Sequence, residues 1–428
     1  MVQDRDTGGR AMLAGLLDAS HLIPLEALPD RTAEQVPAAG FTEVLIYVAD
    51  LTATGLHLLA GRGGAGAGCE SDIRIEGTAA GRAFQYGDLV PAAPADADGC
   101  HWWVPLVDGT ERVGVLRVCS RNDDSRARQD ANRLAALLAL IIVGKQESSD
   151  TLARLVRGRP MSIAAEMQWN LMPQRAYADG RVVIAASMEP AYEISGDAYE
   201  YALDGRLVQL NIFDAMGHDT AAGLCAGLAL GASRNARRRG ADLAGRGEAV
   251  EAALIEQYGQ QRYVTGILAT LDTRSGVLRW VNRGHLPPIL IRGNRWTSHL
   301  HCPPAHPMGT DLGLPTAVCH EQLQPGDRVV LFTDGITEAR RPGGAEFGRD
   351  RFTEFLIRHH ADGLPLPETL RRLVRAVLDY HQGRLQDDAT VLMCEWLGTA
   401  SDDTAPAAAL TGLPDDTASS KDTKGRRP

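Results

Sequence analysis

The pattern of apolar and polar residues divides the chain into two blocks. Strand-like apolar runs, separated by Gly, Pro and Asp clusters, occupy residues 44–48, 55–59, 102–106 and 114–118. Asp108-Gly109 lies between the last two runs and predicts a tight hairpin. The period becomes helical over residues 127–143, with an apolar stripe of Leu134, Leu137, Leu138 and Ile141. The first block therefore reads as a small sheet followed by a helix.

The second block alternates strands and helices. A helix begins near Ser162, and Pro173 is expected to end it because proline lacks an amide donor. The clearest later elements are buried strands at 206–213 and 327–332 and helices at 221–236 and 368–380. These shifts predict an N-terminal domain at 1–145 with its core at 41–143, a helical linker at 146–180, a second domain at 181–397 and a disordered tail at 398–428.

Composition narrows the class of protein. Across 428 residues the formal net charge is -10, which disfavours nucleic-acid binding because phosphate contacts need clustered Lys and Arg. The longest apolar run, Leu134 to Val143, is about half of what a membrane-spanning helix needs. The opening residues do not follow the pattern of a secretory leader. Seven cysteines without a Cys-x-x-Cys pair predict reduced thiols and a cytoplasmic protein that does not contact a membrane.

Acidic residues at strand ends are the candidate chemistry. The set consists of Asp197, Asp214, Asp334, Asp387 and Asp388. Two carboxylates about 4 Å apart repel by about 4 kcal/mol at an effective dielectric constant of about 20, so a converging set needs raised pKa values or a cation. Oxygen ligands select Mg²⁺ or Mn²⁺, and shared carboxylates suit two ions that activate water for displacement at phosphorus. An Asp before Gly is also a common turn residue, so the hypothesis requires convergence in space.

A series of motifs strengthens the metal hypothesis. They occupy residues 193–199, 213–218, 282–288, 325–338 and 386–391. The most specific are Thr-Asp-Gly-Ile-Thr-Glu at 333–338 and Asp-Asp-Ala-Thr at 387–390. In this order the motifs resemble the bacterial SpoIIE/RsbU-like serine/threonine phosphatases, a branch of the metal-dependent PPM phosphatases. The resemblance covers most of residues 181–397, and residues 165–173 resemble the helix that precedes this catalytic domain.

The resemblance implies an α+β fold in which two packed antiparallel sheets, flanked by helices, form an α/β/β/α sandwich. It implies a site for two Mn²⁺ or Mg²⁺ ions held by Asp197, Asp214, the backbone carbonyl of Ala215, Asp334 and Asp387. Asp214 and Asp334 are the residues expected to be essential for catalysis, and Asp388 is the less favoured ligand of its pair. Water activated by the ions would attack phosphorus in line, without a covalent phosphoenzyme.

Some positions differ from the usual family pattern. Ser195 and Glu200 replace a frequent Gly and Asp, and both changes are expected to have little effect. Asp219 replaces a Gly, and we interpret it as a favourable charge at a helix N-terminus rather than an extra ligand. The run Arg237-Arg238-Arg239 is interpreted as a helix end.

Histidines are interpreted as structural. His218 and His285 are expected to orient loops by hydrogen bonds rather than act as general acids. His299, His301 and His306 resemble a metal cluster in number only, and their spacing among prolines favours a solvated loop.

Residues 41–143 resemble a GAF-like sensor domain, on residues 75–84, 87–90 and 103–116. A small αβ domain without a ligand remains an equal alternative. A homodimer through helices at 134–143 and 162–172 is a further hypothesis.

Together these features predict a sensor-regulated phosphatase that acts on phosphoserine or phosphothreonine of another protein. The resemblance implies that the substrate is a phosphorylated anti-sigma-factor antagonist in a partner-switching pathway. The alternatives are a catalytically weak docking scaffold and a two-metal phosphohydrolase that acts on a small phosphate ester, a nucleotide or a nucleic acid.

Overall fold

The computed structural model describes residues 2–62, 70–96, 99–194, 196–293, 296–338, 344, 346–361, 364–381, 385 and 387–399. Ser195 and the predicted tail beyond residue 399 lie outside this part. The chain separates into two compact units, one ending at Arg159 and one beginning at Pro160, inside the segment predicted as a linker. Within the described residues, no helix combines the length and apolarity needed to cross a lipid bilayer.

The N-terminal unit is a sheet with helices on both faces. Its helices are α1 (Val2–Ser20), α2 (Leu28–Gln35), α3 (Ala79–Tyr86), α4 (Ser125–Lys145) and α5 (Asp150–Val156). Its strands are β1 (Phe41–Ala49), β2 (Gly55–Leu58), β3 (Asp72–Arg74), β4 (Val90–Asp96), β5 (Gly99–Asp108) and β6 (Glu111–Ser120). The described strands form an antiparallel sheet in the order β3-β2-β1-β6-β5-β4.

Two predictions for this unit are confirmed. Asp108 pairs with Glu111, and Gly109 adopts a φ of 61° in the turn between β5 and β6, as the Asp-Gly signal indicated. In α4 most of the apolar stripe is buried: Leu134 and Leu138 are fully inaccessible in the unit's own core, and Leu137 is partly buried against it. The sequence pattern did not reveal α1, although Met12 in this helix is buried in the same core.

The opposite face of this sheet packs beneath α3. Tyr47 and Trp103 meet edge to face with ring centroids 5.6 Å apart, and Phe84 of α3 belongs to the same buried cluster. Thr78 caps α3 by accepting the Gly81 amide at 2.9 Å. These aromatic side chains belong to the buried cluster between α3 and the sheet.

The C-terminal unit is a sandwich of two antiparallel sheets. Its helices are α6 (Ile163–Leu171), α7 (Thr220–Arg238), α8 (Leu243–Tyr258), α9 (Asp334–Thr337), α10 (Arg349–Ala361) and α11 (Leu366–Tyr380). Its strands are β7 (Ala176–Ala178), β8 (Val182–Glu189), β9 (Asp197–Asp204), β10 (Leu207–Ala215), β11 (Val264–Asp272), β12 (Val277–Arg283), β13 (Ile289–Arg292), β14 (Trp296–His299), β15 (Cys319–Gln322), β16 (Arg328–Phe332) and β17 (Ala389–Trp396). The described sheets have the orders β15-β12-β11-β10-β9 and β14-β13-β16-β17-β8-β7.

Strand alternation builds the sandwich core. On β10, Leu210 and Ile212 belong to the apolar cluster between the sheets, whereas Phe213 belongs to the cluster under α7 and α8. Leu331 of β16 and Leu392 of β17 face the same inter-sheet cluster from the second sheet. The second sheet is covered by α11, which packs against β8 and β17. The predicted α+β fold with an α/β/β/α sandwich is confirmed.

The cysteine prediction was wrong in one respect. Cys302 and Cys319 form a disulfide, with Cα atoms 5.8 Å apart. Their spacing of 17 residues does not signal a pair, because the segments that hold them meet only in the folded sheet. The described cysteines outside this disulfide are all buried and are Cys100, Cys119, Cys225 and Cys394.

Candidate metal centre

Two predicted ligands lie opposite each other at the end of the first sheet. Asp214 of β10 pairs with Asp197 of β9. Both share the strand parity of Ile212 and Tyr199, whose side chains lie in the core between the sheets. The two carboxylates therefore occupy the last positions of the inter-sheet face.

The second sheet brings further acids to the same end. Thr333 follows β16, and its hydroxyl donates to Asp197 Oδ2 at 2.7 Å. Asp334 comes next, as the first residue of α9. Asp388 precedes β17, and its Oδ2 accepts the Gly196 amide at 2.6 Å. Four of the predicted acids thus meet where the two sheets part, although nearly 200 residues separate the first from the last.

Glycines allow this close approach. A Cβ atom on Gly335 would lie 1.9 Å from the Asp388 carbonyl oxygen, and one on Gly196 would lie 2.9 Å from the Ala215 carbonyl oxygen. The Gly of the Thr-Asp-Gly motif is therefore required by the Asp-Asp motif that packs against it. The predicted backbone ligand, Ala215, is buried beside Gly196 and donates its amide to the Gly196 carbonyl at 3.0 Å.

The electrostatics of the cluster are those of unneutralised carboxylates. Burial and the charges of Asp334, Asp387 and Asp388 raise the pKa of Asp214 to about 7. Burial, Asp214 and Asp388 raise the pKa of Asp197 well above its ordinary value. Burial and Asp387 likewise raise the pKa of Asp334. At neutral pH these groups compete for protons, which a divalent cation would replace.

The donor set fits a hard divalent ion in its chemistry, because it consists of carboxylate and carbonyl oxygens. In the described part of the chain, however, no three His, Cys, Asp or Glu side chains are placed to coordinate one ion. The two observations are compatible, because carboxylate charges shift each other's pKa over several ångströms, whereas metal ligands must all contact the same ion. The backbone already places the aspartates at one end of the sandwich, and their side chains would have to rotate to coordinate one ion together.

Asp387 and Asp388 differ more than the sequence suggested. Asp388 is 5% exposed and shares the strand parity of Leu392, so it faces the cleft. Asp387 is exposed and accepts the Asp388 amide at 2.9 Å, yet its charge acts on Asp214 and Asp334. Counting alternate positions back from the apolar face of β17 would have identified Asp388 as the inward member of the pair.

The interpretations of Asp219 and of His285 agree with the structure. Asp219 is the N-cap of α7 and accepts the Ala222 amide at 2.8 Å. His285 contacts the Thr265 hydroxyl at 2.8 Å and the Phe332 carbonyl at 3.1 Å, and burial lowers its pKa to about 4. It is therefore neutral at pH 7 and fixes its loop. His218 is exposed, and its predicted loop-orienting hydrogen bond stays a prediction.

His306 corrects the interpretation of the histidine-rich loop. It is 8% exposed, and its Nε2 contacts Glu251 at 3.0 Å beside Arg283. His299 and His301 stack at a centroid distance of 6.1 Å outside this buried network. The loop is thus not solvated throughout, because His306 belongs to an ion-pair network that spacing alone does not reveal.

Glu200 was underestimated. It is 1% exposed and accepts bonds from Arg234 at 3.0 Å, Arg237 at 2.7 Å and Asn211 at 2.7 Å. The basic run is at the C-terminal end of α7 as predicted, and one of its members also neutralises this buried acid. The sequence signal that could have indicated this network was a Glu on a buried strand together with Arg234 and Arg237 on the helix that packs against it.

Comparison with known proteins identifies the domain. Residues 204–397 match the family model described as Stage II sporulation protein E (SpoIIE). Residues 204–397 therefore form a SpoIIE-family phosphatase domain. Asp197 lies outside the matched residues, and the pairing of β9 with β10 and the hydrogen bond from Thr333 bring it to the other acids.

The chain is also similar to individual proteins. The phosphoserine phosphatase RsbU of Bacillus subtilis is 23% identical over 237 residues, which are 54% of this chain and 69% of RsbU. Among solved structures, the RsbU and RsbW domains of Rv1364c from Mycobacterium tuberculosis are 22% identical, with a TM-score of 0.46, over 52% of this chain and 63% of that chain. The PP2C domain of SpoIIE from Bacillus subtilis, with a fragment of its regulatory domain, is 22% identical, with a TM-score of 0.43, over 50% of this chain and 63% of that chain. The chain thus spans 63% of each of these solved chains.

Proposed function

We propose that this chain hydrolyses phosphoserine or phosphothreonine on another protein, with two Mn²⁺ or Mg²⁺ ions bound at the carboxylate cluster. The observation that carries the proposal is the convergence of Asp197, Asp214, Asp334 and Asp388 from both sheets on one end of the sandwich. A structural role does not account for this cluster, because like charges in a partly buried site oppose folding.

In this proposal the carboxylates divide the work of holding the ions. Asp214 lies at the centre of the cluster, where three other acids act on it, and is assigned the bridging position. Asp197, Asp334, the Ala215 carbonyl and Asp387 complete the set, with Asp388 as an additional inward oxygen donor. When bound, the ions activate water and screen the phosphoryl charge. Thr333 keeps Asp197 oriented toward the cleft, and no side chain is assigned as a nucleophile.

The proposed substrate is a phosphorylated anti-sigma-factor antagonist of a partner-switching pathway. Support comes from the matched SpoIIE family model and from RsbU, which is named a phosphoserine phosphatase. We assign the N-terminal unit, residues 1–145, as a GAF-like domain that regulates the phosphatase, and residues 398–428 as a tail. A ligand beneath α3 would lie against the buried cluster that contains Tyr47 and Trp103.

The dimer hypothesis now rests on α6. The α4 stripe is used within its own unit, whereas α6 exposes Ile163 (73%), Met167 (37%) and Leu171 (37%) at successive helical turns. Light scattering at micromolar concentration is expected to give twice the chain mass, and Ile163→Lys with Met167→Lys is expected to halve it. A monomeric wild type would contradict the dimer.

Cytoplasmic localisation is also a proposal. Buried free thiols suit a reducing compartment, and the Cys302–Cys319 disulfide argues the other way. Thiol titration of protein purified under anaerobic conditions is expected to show this pair reduced in the cell.

The function is tested by Mn²⁺-dependent phosphate release from a serine-phosphorylated anti-sigma-factor antagonist, with nucleotides assayed in parallel. Release from the phosphoprotein alone supports the proposal. Preference for nucleotides would instead indicate a small-ester phosphohydrolase. Inactivity with Mn²⁺ and Mg²⁺ would indicate a docking scaffold.

A further inference from the structure

One loop of the phosphatase domain exposes apolar side chains in an unusual way. Residues 311–315 are exposed without interruption, and within them Leu312 and Leu314 are 60% and 55% accessible. Turn and loop tips usually carry polar residues, which lose no hydration when exposed. Contiguous exposed apolar groups are typical of interaction sites.

The same loop is fixed by a buried network. Arg283, only 2% exposed, pairs with Glu251, and Glu251 Oε1 accepts the Asp311 amide at 2.7 Å. Asp311 adopts a φ of 54°, a left-handed conformation that costs free energy in a residue other than glycine. A buried ion pair and a strained residue therefore hold the backbone next to Leu312 in one conformation.

This loop lies at the metal end of the sandwich. Ala215 pairs with Val264, and Val264 forms a two-way backbone bridge with Met308, both hydrogen bonds being 2.8 Å. Two strand spacings separate Ala215 from Met308, which is about 10 Å. Leu312 follows Met308 by four residues.

Two residues with exposed apolar side chains stand on the backbone segments that connect the loop with Ala215. Met216 is 39% exposed and directly follows Ala215, and Tyr263 is 37% exposed. The Met216 amide donates to the Tyr263 carbonyl at 3.1 Å, so the two segments are joined. A Cβ atom on Gly309 would lie 3.3 Å from the Tyr263 Cα, which places the start of the loop against the same segment.

We propose that Met216, Tyr263, Leu312 and Leu314 form an apolar rim on which the phosphoprotein substrate docks. The inference rests on the proposed function and adds a surface that recognises the folded substrate outside the phosphorylated residue. The occupant is the substrate because its phosphoseryl group must reach Asp214, and a standard interface of about 800 Å² per partner is roughly 30 Å across. A protein seated over the carboxylates therefore also covers the rim.

The chemistry of the rim defines its partner. The partner presents apolar side chains about 10–15 Å from its phosphoserine, a distance set by the two strand spacings and the loop. Because the loop is already ordered, docking costs little conformational entropy, which favours affinity from a few side chains. A peptide of about six residues with its phosphoserine in the middle reaches about 10 Å to either side when fully extended. It therefore meets at most the near edge of the rim and has no folded apolar surface to cover the rest.

The test compares two substrates in the full-length protein with Mn²⁺. One is a serine-phosphorylated anti-sigma-factor antagonist, and the other is a phosphoserine peptide of about six residues from its phosphorylation site. In Leu312→Asp with Leu314→Asp, the ratio of kcat/KM for protein to kcat/KM for peptide is expected to fall about 10- to 100-fold, mainly through KM. The matched control is Leu22→Asp, an equally apolar residue that is 93% exposed in the N-terminal unit, for which the ratio should equal that of wild type.

The outcomes separate the two claims. If wild type hydrolyses both substrates and the double variant keeps the wild-type ratio, the docking surface is wrong and the proposed function stands. If wild type hydrolyses neither, the proposed function fails and the docking surface with it. Leu312→Gln with Leu314→Gln provides a milder pair should the aspartates lower the melting temperature. A loss of self-association in the double variants, with an unchanged ratio, would show that the rim pairs copies of this chain and would overturn the proposal.

Discussion

Strand β9 buries two carboxylates three residues apart, and they are treated in opposite ways. Glu200 is 1% exposed and is neutralised by Arg234 and Arg237. Asp197 is 2% exposed, receives the hydroxyl of Thr333, and has neighbouring carboxylates that raise its pKa. The charge of Glu200 is thus neutralised within the fold, whereas the charge of Asp197 requires a proton or a bound cation.

The difference separates structural burial of charge from functional burial. A buried acid with two guanidinium partners holds elements together, here α7 against the sheet, and its removal leaves uncompensated positive charge. A buried acid among like charges lowers the stability of the empty fold, and such perturbed groups concentrate at functional sites. Removing an acid of the carboxylate cluster should therefore lower activity and raise the stability of the metal-free protein. Removing Glu200 should lower stability and change activity little.

Asp214→Asn gives the largest expected effect. Phosphate release should fall by at least about 10²–10³-fold, because a charged group at the reacting centre is lost. In buffer with a chelator at neutral pH the same variant should unfold at a higher temperature, with a free energy of unfolding larger by on the order of 1 kcal/mol, because burial and three acids raise the pKa of Asp214 to about 7. Asp179→Asn, which removes an acid paired with Arg181 at 2.6 Å, is the control and should keep activity.

Turnover near the wild-type rate in Asp214→Asn would remove this residue from the mechanism. A lower melting temperature in the chelated variant would show that its charge is neutralised within the fold.

Glu200→Gln should show the reverse pattern. The free energy of unfolding is expected to fall by about 3 kcal/mol, because Arg234 and Arg237 lose the charge that compensates them. Urea denaturation measures this loss, and activity per folded molecule should change little. Glu354→Gln breaks an exposed pair with Arg358 and should cost less than about 1 kcal/mol. Equal losses in the two variants would mean that burial does not distinguish these pairs.

Thr333→Val is a smaller and more selective change. It keeps the volume of the side chain and removes the hydroxyl that donates to Asp197 at 2.7 Å and accepts the Thr390 amide at 2.9 Å. Affinity for Mn²⁺, measured by titration calorimetry, should fall about 10- to 100-fold, the usual effect of losing a group that orients a ligand. Thr333→Ser keeps the hydroxyl and should remain within a few-fold of wild type. Unchanged affinity in Thr333→Val would show that this bond does not position a ligand.

Much of the fold and the identity of the acids could be predicted from the sequence. The hairpin at Asp108-Gly109, the stripe of α4 and the N-cap at Asp219 depend on local periodicity and turn chemistry, which the chain carries within a few residues. Asp214 and Asp334 stand at strand ends within motifs that have a family resemblance. The assignment of these acids to a metal site remains a prediction.

Features that depend on contacts between distant segments could not be predicted. The Cys302–Cys319 disulfide, the burial of His306 and the hub at Glu200 arise where elements far apart in sequence meet. The inward position of Asp388 was accessible in principle, through the alternation of β17, but its bond to the Gly196 amide was not. The local sequence pattern therefore indicates which residues are candidates for a site, whereas their contact partners depend on tertiary packing.

The central claim is that the converging aspartates hold a pair of divalent ions. Anomalous diffraction from crystals of the full chain soaked in Mn²⁺ tests it most directly. Two peaks about 3.5–4 Å apart, with carboxylate oxygens of Asp197, Asp214 and Asp334 around them, are the expected result. Density that is absent from this cleft, or that lies away from these three side chains, would contradict it.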